Sequence, residues 1–220
     1  MAVAVDATRT ESVRTDTSDP YTFNYTPTST PRGIVVTAIH SDSDTDHIVG
    51  ITYGGFPLWK AVTGVDSATE AGRADIWWRG DSIPTGTQTV SVDLASGTTD
   101  DIQFVVFGLT GNANIEVIDT DSVNGNTSNP SVVMSYLGRT CVTISAFYYG
   151  GSAAPTPNAN MTSLHTHDFT AQFGDVSMQT TPGTADFTCS YTANDDTGLA
   201  VAAFTEVLPM PTLTMARQLA

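Results

Sequence analysis

The sequence predicts an all-β chain, an antiparallel β-sandwich of jelly-roll type, and three observations predict it. Apolar residues alternate with polar ones or gather in short β-branched runs, without helical spacing. Turn clusters of Gly, Pro, Asn and Asp separate these runs at intervals of roughly 8–15 residues. The one helical candidate, residues 67–71, amounts to a turn or two. With no helices for parallel crossovers, the strands must pair antiparallel and stack as sheets.

Taken in order, Asp19-Pro20 and Pro27 bound a clean alternation over residues 21–25. Residues 33–39 form a nearly continuous apolar β-branched run, the pattern of a central strand buried on both faces. Residues 47–53 follow and close on Gly54-Gly55, which supplies the positive φ of a tight hairpin before residues 56–62. Residues 73–79 come next, then the turn Pro84 to Gly86, then 87–94 with Val90, Val92 and Leu94 on one face. Residues 102–110 are another buried run. The second half repeats the style less tidily, with strands expected at 115–118, 131–134, 141–149, 176–180, 187–191 and 199–207. A Gly, Ser, Ala, Pro and Asn loop spans 150–160. No internal repeat of fixed period and no coiled-coil heptad is visible. The organisation expected is an N-terminal arm over 1–20, one sandwich over 21–207, and a Pro-containing tail over 208–220.

Composition narrows the function. The formal net charge is −15, from 23 Asp and Glu against 8 Lys and Arg, and Lys60 is the only lysine. Nucleic-acid binding by counterion release needs clustered cations, so no nucleic-acid partner is expected. An anionic membrane surface would repel the chain, and no run approaches the ~20 apolar residues of a membrane span. The start, Met1 to Asp6, lacks the basic n-region of a signal peptide, so synthesis in a cytoplasm is expected. Cys141 and Cys189 sit singly in strand patterns and read as buried free thiols, with a bridge between neighbouring strands as the alternative.

No motif for catalysis is present: no nucleophile elbow, no phosphate loop, no zinc-binding helix signature. No enzymatic activity and no cofactor are expected. Asp42-Ser43-Asp44-Thr45-Asp46 opens like a calcium loop, but His47 stands where Gly is required and Tyr53 where the bidentate Glu belongs. It reads as a solvated acidic loop. His165 and His167 share a strand face, yet no further ligand accompanies them. Arg79-Gly80-Asp81 spells an adhesive tripeptide and reads as a turn.

The aromatics are more informative. In Ala74 to Trp78 alternation sends Ile76 and Trp78 to one face and Trp77 to the other. Tyr148-Tyr149 does the same on an equally hydrophobic strand. The outward Trp77 packs under a loop or in a second layer, or else lies at an interface; strands apolar on both sides, in a chain without helices, point to a second subunit as the cover. Trp59, Trp77, Tyr148 and Tyr149 are therefore the candidate interface residues.

Three segments, Ile51-Thr52-Tyr53-Gly54-Gly55-Phe56-Pro57-Leu58, Gly72-Arg73-Ala74-Asp75-Ile76-Trp77-Trp78 and Pro84-Thr85-Gly86-Thr87-Gln88-Thr89-Val90-Ser91-Val92, follow one another in an order that resembles β-sandwich structural proteins of tailed-bacteriophage virions. The resemblance covers about residues 33–120 and carries no catalytic residues. It implies a virion location and a capsid decoration (cement) protein bound to the major capsid protein or other virion proteins, as a homotrimer at threefold sites. Polar termini acting as arms would fit that role. A fibre-borne carbohydrate- or receptor-binding module, with Trp59, Trp77 or Tyr149 stacking on sugar rings, is the alternative.

Overall fold

Alternation and β-branched runs become strands wherever the sequence shows them, in a computed structural model that describes residues 3–15, 17–41, 43–66, 71–95, 101–124, 129–151, 154–169, 172–193 and 195–207. The described residues form seventeen strands in four antiparallel sheets. In the first half these are β1 (Ala4–Arg14), β2 (Tyr21–Tyr25), β3 (Gly33–Ser41), β4 (Ile48–Tyr53), β5 (Phe56–Pro57), β6 (Trp59–Asp66), β7 (Gly72–Arg79), β8 (Gln88–Leu94) and β9 (Ile102–Thr110). They build a large sheet ordered β1-β9-β3-β7-β6 and a small one ordered β2-β8-β4-β5. The second half supplies β10 (Ile115–Val123), β11 (Ser131–Met134), β12 (Cys141–Tyr149), β13 (Thr156–Pro157), β14 (Met161–Asp168), β15 (Phe173–Gln179), β16 (Phe187–Thr192) and β17 (Thr197–Glu206). Its sheets run β10-β17-β12-β15-β14 and β11-β16-β13.

The two orders are the same. Reading β10 for β1, β12 for β3, β14 for β6, β15 for β7 and β17 for β9 converts one large sheet into the other, and β2-β8-β4 becomes β11-β16-β13. The register agrees too. Thr63 lies opposite Asp75 and Thr166 opposite Asp175, and both hairpins are bulged at the same step, between Lys60 and Val62 and between Ser163 and His165. Where the sequence is read as one sandwich without repeats, the chain is two copies of one topology. The sequence echoes are short: Ala74-Asp75-Ile76 against Gly174-Asp175-Val176, and Gly86-Thr87 against Gly183-Thr184.

The four sheets stack as layers, with the two large sheets face to face in the middle. Val35, Ile39, Ile76 and Phe107 of the first unit share a core with Ile144, Tyr148, Val176 and Phe204 of the second. One outer core lies under the first small sheet, around Tyr53, Trp77, Val92 and Phe104. The other lies under the second, around Phe147, Tyr149, Cys189 and Val201. Each central strand therefore has apolar packing on both faces, and β3 and β12 are buried at every residue. This corrects the expectation that a second subunit covers them: the chain's own second unit does.

The large sheets meet most closely along one side, where β6 and β7 lie against β17, β10 and β12, and β3 crosses β12. Backbones approach closely at the crossing of β6 and β17. A Cβ on Gly64 would stand 2.6 Å from the Leu199 nitrogen and closer still to its carbonyl group, so only glycine permits this contact. The connection at 111–114 is pinned at both ends: Glu206 accepts from the Asn112 N–H, and the Ile115 N–H donates to the Gly80 carbonyl at 3.1 Å.

The expected N-terminal arm is also corrected over 4–14, which is the edge strand β1 paired along β9. Its polar sequence hid it, because an edge strand exposes one face and favours charge there. Its bulge between Val5 and Arg9 is organised by Asp6, whose carboxylate accepts from Thr8, Thr28 and Ser29. Burial raises the Asp6 pKa, but these hydrogen bonds outweigh it and hold the group well below the usual carboxylate range. The tail over 208–220 and residues 67–70 of the helical candidate lie outside the described residues.

Candidate functional site

Two carboxylates are fully buried at the same place in the two units, and both are saturated. Asp75 accepts from Thr63 Oγ1 at 2.6 Å and pairs with Arg73 Nε at 3.0 Å and Lys60 Nζ at 3.3 Å. Asp175 meets no cation among the described residues; four hydroxyls serve it instead. Ser163 and Thr166 donate to one oxygen at 2.6 and 2.7 Å, and Ser177 and Tyr191 to the other at 2.5 and 2.9 Å. The duplicated position thus keeps its acid and changes its donors. Both arrangements fix strand edges rather than leave a reactive oxygen.

The acidic loop is tied to the same cluster. Asp46 pairs with Lys60 at 2.6 Å and with Arg73 at 3.1 Å. Burial works to raise its pKa, and the two cations more than reverse that. A carboxylate already neutralised by two cations is a poor calcium ligand; Asp42 lies outside the described residues. His165 and His167 do share a face, with ring centroids 6.4 Å apart, but His165 Nδ1 meets Glu11 Oε2 at 3.3 Å and His167 packs edge-on against Phe169. Among the described residues no three His, Cys, Asp or Glu gather as a metal site. Cys141 and Cys189 are buried free thiols, and burial pushes the Cys189 thiol up to about 12.

Of the four aromatics proposed as interface residues, three lie inside the chain. Trp77 is covered by the first small sheet, with Lys60 Nζ 4.7 Å above its ring. Tyr148 fills the space over Gly72 between the two large sheets. Tyr149 stacks beside Phe147 under the second small sheet. Trp59 is different: it is 49% exposed at the edge of the first large sheet.

Around Trp59 the structure assembles a surface whose other members, Phe56 and Arg79, the sequence did not single out as interface residues. The Arg79 guanidinium lies 5.0 Å from the Trp59 ring centroid and 5.2 Å from that of Phe56, itself 41% exposed. Arg79 donates to the Pro57 carbonyl at 2.9 Å and the Asp81 carbonyl at 2.8 Å, and it pairs with the Asp81 carboxylate at 3.3 Å. The arginine of the Arg-Gly-Asp tripeptide is therefore committed inside its own loop. Chemically, the result is a rigid aromatic platform with a fixed cation, suited to stacking and to binding a protein edge. Gly54-Gly55 was the visible signal for the hairpin carrying Phe56; the pairing with Arg79 depends on strand neighbours distant in sequence.

The second unit carries a groove of about 460 Å³, lined by Asn160, Gln179, Thr184, Asp186 and Phe187 among others. Asp186 Oδ1 accepts from the Tyr136 N–H at 3.1 Å and from Ser135 Oγ at 3.4 Å. No helix of the described residues is long and apolar enough to cross a membrane.

No family model, no curated protein and no solved structure matches the chain.

Proposed function

We propose that this chain is a non-enzymatic structural protein of a tailed-phage virion, a decoration protein that binds the head shell through the Phe56–Trp59–Arg79 surface. The observation that carries this reading is the contrast between that surface and the rest of the molecule. Four layers cover Trp77, Tyr148 and Tyr149, while Trp59 and Phe56 remain outside, held rigid by a pinned arginine. An exposed Trp ring, here backed by the buried Arg79, is among the side chains that dominate protein interfaces. The saturated state of Asp75 and Asp175 favours a structural over a catalytic use of the buried acids. Lys60, Arg73, Arg79 and Arg139 all pair with carboxylates of the chain itself, which speaks against nucleic acid as partner.

In this reading each unit is a jelly roll. The orders β1-β9-β3-β7 and β2-β8-β4-β5 support it, since they are the two four-stranded sheets of that topology, with β6 added at one edge. A trimer at the threefold sites of the shell is the assembly proposed, with the major capsid protein as partner. The test is sedimentation with shells that lack the protein, using wild type and Trp59→Ala. Pelleting of wild type with loss in the variant supports the reading; equal pelleting of both sinks the role of this surface.

The exposure of Trp59 also favours a second reading, a carbohydrate-binding module, because a half-open indole suits a sugar face. Quenching or enhancement of tryptophan fluorescence by oligosaccharides, absent in Trp59→Ala, is its test.

A further inference from the structure

We propose that the groove of the second unit binds an extended segment of a partner protein that presents an arginine beside an aromatic side chain. The groove's occupant is set by the internal duplication and by no particular virion role.

In the first unit the corresponding space is filled by the chain itself. The β4–β5 hairpin folds over it, and its tip Gly54 lies against Pro84 and Gln88. From this hairpin and the adjoining strand, Phe56 and Trp59 stand on either side of the Arg79 guanidinium. The second small sheet is one strand shorter among the described residues, with a turn at Asn158 to Met161 and no strand in the place of β5.

Registering Asp175 on Asp75 identifies each replacement. Gln179 falls at Arg79, and Thr162, opposite Met178, falls at Trp59, opposite Trp78. Met161 falls at Leu58, so Ala159, two residues earlier, falls at Phe56. Ala185 falls at Gln88 when Gly183-Thr184 is set on Gly86-Thr87, and it lines the groove. Gln179 does not take the arginine's course. Its Oε1 accepts from the Tyr136 hydroxyl and from the Thr143 N–H at 3.3 Å, which draws the side chain into the core. Phe56, Trp59, Arg79 and Gln88 of the first unit are thus replaced in the second by side chains that are smaller or, for Gln179, withdrawn, while the strand frame around the space is kept.

The charge of the groove selects the occupant. Asp186 is exposed at its rim, and Oδ1 alone serves Ser135 and Tyr136, so the second carboxylate oxygen can take a donor from a ligand. Arg139 is the only Lys or Arg between residues 115 and 207, against nine Asp and Glu. It is engaged by Glu116 at 2.6 Å and by the Glu206 carbonyl. An anionic ligand would find no cation there. A guanidinium would find a carboxylate, hydroxyls and amides, and an adjacent aromatic ring would find Ala159, Ala185 and Phe187. These are the two groups with which the first unit fills the same place.

The experiment is an amide-resolved NMR titration of the full chain with the capped dipeptide acetyl-Phe-Arg-amide. Acetyl-Phe-Gln-amide and maltotriose are titrated in parallel. The expected result is saturable shifts confined to Asn160, Gln179 and residues 183–187, with the Gln peptide binding at least about tenfold more weakly. Asp186→Asn, which preserves the Oδ1 acceptor, should weaken the Arg peptide by a similar factor. Ala159→Phe with Gln179→Arg, which rebuilds the first unit's plug, should abolish binding; if that variant does not fold, Asp186→Asn decides alone. Absence of saturable shifts, shifts centred elsewhere, equal binding of both peptides, or response to maltotriose alone would each overturn the proposal. A groove that binds the peptide while Asp186→Asn still pellets with shells leaves this site standing and separates it from the shell-binding surface.

Discussion

Replacing Gly64 by alanine strikes the contact on which the two-unit architecture depends. A methyl group there would lie 2.6 Å from the Leu199 nitrogen and nearer to the carbonyl, and the obstacle is backbone in the middle of β17, not a side chain that can rotate. Over-packing a core costs about 1–3 kcal/mol when neighbours can adjust, so a backbone obstacle belongs at the top of that range, about 3 kcal/mol. Loss of glycine's unfolded-state entropy returns about 0.5–1 kcal/mol. The net expectation is destabilisation of about 2–3 kcal/mol. Gly50→Ala is the internal control, because a Cβ at Gly50 meets nothing within 4 Å; it should stay within about 0.5 kcal/mol of wild type. Urea unfolding followed by tryptophan fluorescence reads both. Trp78 packs on Phe204 across the same contact, with ring centroids 6.1 Å apart, so its native emission should change in Gly64→Ala. With a slope of roughly 2–3 kcal/mol/M, the midpoint should fall by about 1 M. Coincident unfolding curves for the Gly64 and Gly50 variants would refute the face-to-face packing of the large sheets.

Other predictions follow from the same packing. Asp175→Ala leaves the hydroxyls of Ser163, Thr166, Ser177 and Tyr191 without their shared acceptor and should cost about 3 kcal/mol in the same urea assay, whereas Asp175→Asn should cost less. Asp6 and Asp46 have lowered pKa values in the fold, so their stabilisation is complete above the unfolded value of about 4 and is lost as pH falls through the folded values; Asp46→Asn should flatten the decline of melting temperature over that acid range. Neither Cys141 nor Cys189 should react with a thiol reagent in the native state at pH 8, and both should react in denaturant; rapid native labelling would contradict their burial. Trp59→Ala should leave urea stability within about 1 kcal/mol of wild type, since the ring is half exposed, so any loss of partner binding belongs to the surface.

How much of this was legible depends on where the physical signal sits. Strands with strict alternation or buried runs, such as 21–25, 102–110 and 141–149, are found where period and β-branching place them. β1 was missed because its Thr, Arg and Glu residues suit an exposed edge and carry no apolar stripe. β14 shows in sequence only through the strand face shared by His165 and His167, because its Ser, Thr and His residues point to solvent or to Asp175 and carry no apolar stripe. The duplication left almost no trace in sequence, because strand order and register are conserved by hydrogen-bonding geometry that many side chains satisfy. Two-sided apolar strands show in the sequence that a cover is needed, but the same pattern serves a neighbouring chain and a second half of the same chain. Hence Trp77, Tyr148 and Tyr149 were placed at an interface when they are internal. The groove was illegible for a further reason: it is defined by what Ala159 and Gln179 do not fill, and that is visible only against the first unit.

The most direct test of the proposed function is sedimentation of the purified chain with tailed-phage head shells that lack a decoration protein. The account predicts saturable pelleting of wild type and at least about tenfold weaker pelleting of Trp59→Ala with its fold intact. A wild-type chain that stays in the supernatant at every concentration would contradict it.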